Sequence, residues 1–384
     1  MYSSLIPLGV AAILFSSLFL GNWSWARIPE LQPSFADLRL LTHTVDCIQD
    51  GTWSFNGPTC DPFGRSYNYP EFISRVFAFL DLGSSSTDLL GKTLGVIVVL
   101  SIVLPMFRQV LQSVSMLRIT VWGIAAVSPP VLLQLERANS DGFVLTAIGV
   151  AAAIYARSRT SSAVVAATTV GFKLFSFLTV LTYVNKGPFK RSLTAFLVTG
   201  AAMLSISINA LPKLSKMQLV DDGYAFGFLS ILKQYTPSLI GHDRYLLLVG
   251  TASFTLIPSV TLLWFTPNLV KRVSESVSEK EPGGVYFLLF GFTYVGTILA
   301  GSRYDYSLIF LLMTLTGIVL LPNVGVLGDV ILGIGVVALW GAFWFDSNSV
   351  IGDMAAIAVC WMILAVLIRN RIDQLRVLLR ARTD

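Results

Sequence analysis

A charge placed among apolar segments is costly and tends to mark function, so the ionisable residues of this chain are the place to begin. Asp37, in Phe35-Ala36-Asp37-Leu38-Arg39, falls in the first turn of an expected helix, where the helix dipole favours a carboxylate. It is either a plain helix-start acid or a base that takes a proton from an attacking hydroxyl. Glu136-Arg137-Ala138-Asn139-Ser140-Asp141 forms a polar corner between two apolar runs. It reads either as a salt-bridged turn or as a sugar-binding corner in which Asn139 and Asp141 bond hydroxyls. Gly301-Ser302-Arg303-Tyr304-Asp305-Tyr306 is a second such corner. The planar fork of Arg303 suits a phosphate, and its pairing with Asp305 as an interfacial anchor is the alternative.

Lys173, inside Gly171-Phe172-Lys173-Leu174-Phe175, is a further phosphate partner unless its ammonium snorkels to the headgroups. Asn68 and Tyr69, in Tyr67-Asn68-Tyr69-Pro70, offer the flat faces and polar partners that hold a sugar ring, or an interfacial aromatic belt. His43 and His242 are the only histidines, one in each of two loops, which makes a metal site weak and hydrogen bonding their expected role. No phosphate-binding loop of the G-x-x-x-x-G-K-[ST] type and no metal-ligand spacing occurs, so neither a built-in nucleotide motor, a catalytic metal nor another cofactor is expected.

The elements that position these residues follow from composition. Of 384 residues, 54% are hydrophobic and 13% charged, about half the charge of a soluble domain. Mean hydropathy is +0.71. Apolar runs near ~20 residues recur along the whole chain. A soluble enzyme, a disordered chain and an outer-membrane barrel are excluded, and an all-α polytopic membrane protein is expected. The net charge of +5 and pI near 9.1 come from short basic clusters between apolar runs, which set topology rather than bind nucleic acid.

Spans are expected at 4–23, 87–107, 116–134, 142–157, 192–211, 245–266, 284–301, 306–322, 326–345 and 351–369. The first run continues into the interfacial Trp23 and Trp25, so it is read as a span and not as a cleaved leader. The stretch 160–186 is read as two short helices meeting at Lys173, which keeps that ammonium out of lipid. About 11–12 transmembrane or short membrane helices result. Both termini are then cytoplasmic, because the basic clusters and the tail 370–384 collect on one side.

Two long loops face the other side, 24–86 and 212–244. The first is too long for a passive link. It is expected to carry an interfacial helix from Ser34 to Gln49, capped by Ser34, and a second near Pro70–Leu80. Cys47 and Cys60 stand 13 positions apart in the same loop and could form a disulfide in an oxidising compartment, or remain free thiols.

These motifs, in this order, resemble the GT-C superfamily of integral-membrane glycosyltransferases. More narrowly, they are similar to the bacterial polyprenyl-phosphate-mannose-type α-mannosyltransferases. The resemblance rests on the Asp37 segment opening the first long loop, Gly64-Arg65-Ser66-Tyr67-Asn68-Tyr69-Pro70, the 136–141 corner, the Lys173 hairpin and Arg303-Tyr304-Asp305-Tyr306. The turn that in many relatives reads Gly-Gln-x-Asn is here Glu136-Arg137-Ala138-Asn139.

The resemblance implies inverting transfer of a hexose, mannose first, on the extracytoplasmic face of the bacterial inner membrane. The donor would be a polyprenyl-phosphate sugar and the acceptor a hydroxyl of a glycolipid, glycan or protein. Asp37 would be the general base. Arg303, Lys173 and Arg244 would bind the donor phosphate. Glu136, Arg137, Asn139, Asp141, Asn68, Tyr69, Tyr304, Asp305, His43 and His242 would contact sugar or acceptor, with no metal at the centre. Two other classes are carried alongside: a transporter or flippase of a lipid-linked substrate, expected to show paired broken helices or a repeat, and a polysaccharide polymerase or ligase, expected to carry its large loop late in the chain.

Overall fold

The computed structural model describes residues 4–53, 60–65, 67, 69–109, 114–184, 189–207, 225–226, 244–299, 303–344 and 350–380. Among them the architecture is a helical bundle, with a single two-residue antiparallel pairing of β1 (Ala225–Phe226) and β2 (Arg303–Tyr304). The helices are α1 (Leu5–Leu20), α2 (Ala36–Gln49), α3 (Glu71–Phe79), α4 (Thr87–Gln109), α5 (Met116–Ala126), α6 (Pro129–Arg137), α7 (Asp141–Ile154) and α8 (Arg159–Thr168). There follow α9 (Phe189–Ser207), α10 (Arg244–Phe265), α11 (Pro267–Ser276), α12 (Pro282–Leu299), α13 (Ile309–Leu320), α14 (Gly325–Trp344) and α15 (Val350–Arg380).

Three helical stretches among the described residues are long and apolar enough to cross a membrane: Ser84–Phe107, Pro282–Leu299 and Val350–Arg376. The number is five if the bent pairs α5–α6 and α10–α11 each count as one span. Shorter apolar helices fill in between. The chain is thus an all-helical protein built to sit in a membrane.

Helices α12 and α13 form the centre, with nearly every side chain buried, and α14, α15 and α7 pack around them. Apolar burial does not drive helices together inside lipid, so close backbone approach must do so. Gly317 permits it, since a Cβ there would lie 2.6 Å from the Phe287 backbone nitrogen. Gly296 does the same against the carbonyl oxygen of Phe175.

The stretch after α7 turns back on itself. Helix α8 and the short turn Thr169–Gly171 run one way, and the 3₁₀ segment Leu174–Tyr183 returns, with Lys173 at the reversal. Both ends of this hairpin meet one buried cluster. Arg159 and Arg371 pair with Glu279 at 3.3 and 3.2 Å, and Arg371 also donates to the carbonyl of Val184 at 3.3 Å. Lys173 therefore sits at the opposite end of the bundle from Glu279.

Several sequence expectations shift. Ser34 is not the cap of α2: Phe35 holds that position in the left-handed conformation, its N–H bonded to the carbonyl of Glu136 at 3.0 Å. The expected span 116–134 is bent by 42° where Ser128-Pro129-Pro130 starts a new helix. The tail 370–384 is helical through Arg380, because Asn370 and Gln374 dock it onto the 274–279 segment. Residues 267–276, read as loop, form α11. Except for β1, the loop 212–244 falls outside the described residues until Arg244 opens α10.

Candidate functional site

Five separate stretches converge at the end of the bundle that carries α2. Asp37 stands in the first turn of α2 with its side chain 14% exposed. Arg65 Nη1 donates to its Oδ1 at 2.7 Å. The rest of that guanidinium is held in place: Nε and Nη2 fork onto the two oxygens of Asp61 at 2.8 and 3.0 Å, and Nη2 also donates to the Ala36 carbonyl at 2.6 Å. Asp61 is itself fully buried. Burial alone would weaken the Arg65 charge, but the hydrogen bonds and charges of Asp61 and Asp37 raise its pKa above the ordinary value.

The turn holding Asp61 and Arg65 is tied to α2 by the disulfide Cys47–Cys60, whose second cysteine directly precedes Asp61. The Phe63 ring lies 5.1 Å from the Arg65 guanidinium carbon. A covalent bond and an ion pair thus hold the same turn against the same helix. Next to it the Tyr67 hydroxyl bonds Ser74, and burial pushes that phenol above its usual pKa.

Asn139 is the junction of the site. Helix α6 ends on Ala138 in the left-handed conformation and α7 begins at Asp141, so Asn139 lies on the tight reversal between them. Its Nδ2 donates to Asp37 Oδ2 at 2.7 Å and to the Tyr306 hydroxyl at 2.9 Å, with the Tyr69 hydroxyl at 3.4 Å. Its Oδ1 accepts from the Asp141 backbone N–H at 3.0 Å, which fixes the amide orientation. The Asp141 carboxylate is fully buried, pairs with Lys173 Nζ at 3.2 Å and accepts from the Ser307 hydroxyl. Lys173 also lies 5.9 Å from the centre of the Tyr69 ring.

Two ion pairs, Arg65–Asp37 and Lys173–Asp141, are thus bridged by one amide and one tyrosine. Residues from 37 to 307 meet here. The hairpin tip and the 139–141 corner, separate in sequence, are partners. Lys173, expected as a free phosphate partner, is paired with Asp141.

Other expected residues sit elsewhere or lie outside the described part. Glu136 accepts from the Leu31 N–H at 3.0 Å and pairs with Arg137 at 2.9 Å, while Arg137 Nη2 donates to the Pro29 carbonyl at 3.2 Å. Both fasten the 29–35 segment to α6, as a salt-bridged turn does; of this corner only Asn139 and Asp141 reach Asp37 and Lys173. His43 is half-buried on α2, two turns beyond Asp37. The backbone of Arg303 and Tyr304 pairs with that of Ala225 and Phe226 in β1, just ahead of Tyr306 in the chain. Asp305 begins the 3₁₀ turn that carries Tyr306 and Ser307. The side chains of Arg303, Tyr304, Asp305 and Arg244 fall outside the described residues, as do Asn68 and His242.

Sequence reasoning missed Arg65, Tyr306 and Ser307 as site members. The Asp61/Arg65 spacing of four, which suits an ion pair across one turn, was the available signal for the first. Tyr306 closes the 301–306 corner, which was the signal for it; Ser307 carried none, because an apolar run with an embedded hydroxyl is common.

Among the described residues no three His, Cys, Asp or Glu side chains gather as metal ligands. No protein-family model, curated protein or solved structure matches this chain.

Proposed function

We propose that the chain is an integral-membrane glycosyltransferase that moves a hexose from a polyprenyl-phosphate carrier to an acceptor hydroxyl on the extracytoplasmic side, with Asp37 as general base. The observation that carries this reading is the Asp37 carboxylate itself. It is partly open to solvent, oriented by Arg65 and Asn139, and joined through Asn139 to a corner that also contains Lys173. A carboxylate has about four acceptor positions, and two are filled. The remaining lone pairs can receive an acceptor hydroxyl and take its proton as the oxygen attacks the anomeric carbon.

The leaving group in such a transfer is a lipid phosphate, which needs cationic stabilisation more than an acid. Lys173 Nζ carries three N–H donors and is held near Asp141 by an ion pair at 3.2 Å, and in this reading it turns donors toward phosphate oxygens. Arg303 and Arg244 are the other phosphate partners in this reading. Asn139 and Tyr69, buried and already hydrogen-bonded, back Asp37 on the sugar side in this reading, with mannose the first sugar to try. The polar Glu279 end, rich in Arg, faces the cytoplasm, as basic loops do.

A transporter of a lipid-linked substrate is the second reading, and the two bent helix pairs, at 42° and 100°, favour it. Incubation of the purified protein with a panel of polyprenyl-phosphate sugars and acceptors separates the two, because a transferase releases free polyprenyl phosphate and a transporter leaves the donor whole. Asp37→Asn should lower transfer by about 10²–10⁴-fold, the usual contribution of a general base, in a protein that stays folded in detergent. Near-normal turnover in that variant removes Asp37 from the mechanism.

A further inference from the structure

The opposite end of the bundle carries a feature that the Asp37 chemistry does not use. Helix α10 ends at Phe265, and α11 leaves it at 100°, so α11 runs across the bundle and not along it. Its Val270, Val273 and Ser274 pack inward, and Asn370 Nδ2 anchors its far end through the carbonyls of Ser274 and Val277 at 3.2 and 3.1 Å. The outward side presents Leu269, Lys271, Arg272 and Glu275. At the bend Trp264 is 80% and Phe265 75% exposed. Exposed aromatics beside an in-plane helix with a basic outer side are the mark of a segment lying at a membrane surface.

Arg272 opens onto a cleft of about 660 Å³ between α11, the start of α5 and the turn into α14, with Arg118, Glu275, Asn323 and Ser276 on its walls. That is within the ~300–1,000 Å³ of small-molecule sites. The Arg272 chain lies against the turn: a Cβ at Gly325 would be 3.8 Å from its Cδ. The other charges at the cleft are compensated. Arg118 pairs with Asp329 at 2.9 Å, and Lys271 with Glu275 at 3.6 Å. Arg272 makes no ion pair or hydrogen bond with the described residues. An adjoining cavity of about 590 Å³ contains Glu281 and Asp329, which repel anions from that side.

We infer that this cleft binds the phosphate of an anionic lipid headgroup in the leaflet at the basic end, with Arg272 as its bidentate partner and Trp264 and Phe265 set among the acyl chains beside it. A guanidinium left uncompensated beside a cavity matches a phosphate in geometry and charge. The in-plane helix puts that cavity at headgroup depth.

The test uses the full chain purified in detergent, with bound lipid counted by native mass spectrometry after addition of phosphatidylglycerol or phosphatidylcholine. Phosphatidylglycerol should be retained in preference. Arg272→Ala should lower its retention about fivefold, the equivalent of ~1 kcal/mol per basic side chain at an anionic surface. Arg272→Lys should restore only part of it, since an ammonium keeps the charge and loses the fork, and phosphatidylcholine binding should not change. An unchanged melting temperature for Arg272→Ala, expected for an exposed side chain, confirms that the variant is folded. Equal retention of phosphatidylglycerol by Arg272→Ala and the unaltered protein would overturn the inference. So would protection from heat by inorganic phosphate alone, lost in Arg272→Ala and not reproduced by the lipid, since the site would then take a soluble anion.

Discussion

Replacing Arg65 by Gln removes a cation that holds both Asp61 and Asp37. Asp61 is fully buried, and its two oxygens accept the guanidinium fork at 2.8 and 3.0 Å. Removing one partner of a buried ion pair costs about 3–5 kcal/mol, because the other charge is left behind. Two features reduce that figure here. The Arg65 side chain is one-third exposed, so water reaches part of the cluster, and Asp61 keeps the backbone N–H of residue 65 at 2.9 Å. A loss of about 2 kcal/mol is therefore expected.

The same reasoning sets the double variant. Arg65→Gln with Asp61→Asn leaves no orphaned charge at position 61, so about half of the lost stability should return. Unfolding in mixed detergent micelles, followed by tryptophan fluorescence, measures all three proteins. If Arg65→Gln stays within about 0.5 kcal/mol of the parent, the scale of an ordinary surface change, the cluster contributes little and the argument for a rigidly held Asp37 fails. A double variant less stable than Arg65→Gln alone would refute the claim that the orphaned carboxylate is the cause.

Two further outcomes follow from the same cluster. Lys173→Met should destabilise the protein by about 3 kcal/mol, since it leaves the fully buried Asp141 facing only Ser307, and adding Asp141→Asn should recover part of it; equal stability of the single variant and the parent in the same unfolding assay would contradict the pairing. Cys47 and Cys60 should resist alkylation until a reductant is added, and replacing both by Ser should cost about 3 kcal/mol, as expected for closing a short loop; ready labelling without reductant would count against the bond.

Much of the scaffold could be read from apolar runs, because lipid forces each crossing segment to satisfy its backbone internally. The run 284–301 appears as Pro282–Leu299 and 326–345 as Gly325–Trp344, shifted by one or two residues. The loop helices near Asp37 and Pro70 were legible from amphipathic spacing and a starting proline. The reversal at Lys173 was legible for a different reason, since a lysine in mid-span has no acceptable place in hydrocarbon.

What could not be read was pairing across distance. The corner Glu136-Arg137-Ala138-Asn139-Ser140-Asp141 looked like one polar patch, yet its first two residues secure the 29–35 segment while Asn139 and Asp141 turn to the site. Nothing local distinguishes them; the left-handed Ala138 divides the corner and sends its halves to different partners. Helix α11 was hidden because three charges in ten residues resemble a solvated loop until α15 supplies the surface it packs on.

Composition and the spacing of charges, acting through the cost of burying a polar group in lipid, determined by themselves that the chain is helical, where its apolar segments lie, and that Asp37, Asn139, Asp141 and Lys173 were candidates for chemistry. Which partners they took was decided only when the helices packed. Arg65 reaches Asp37 from 28 positions away and Tyr306 reaches Asn139 from 167. Hydrogen bonds act over about 3 Å, so such choices belong to the assembled bundle and leave no periodic trace in the chain.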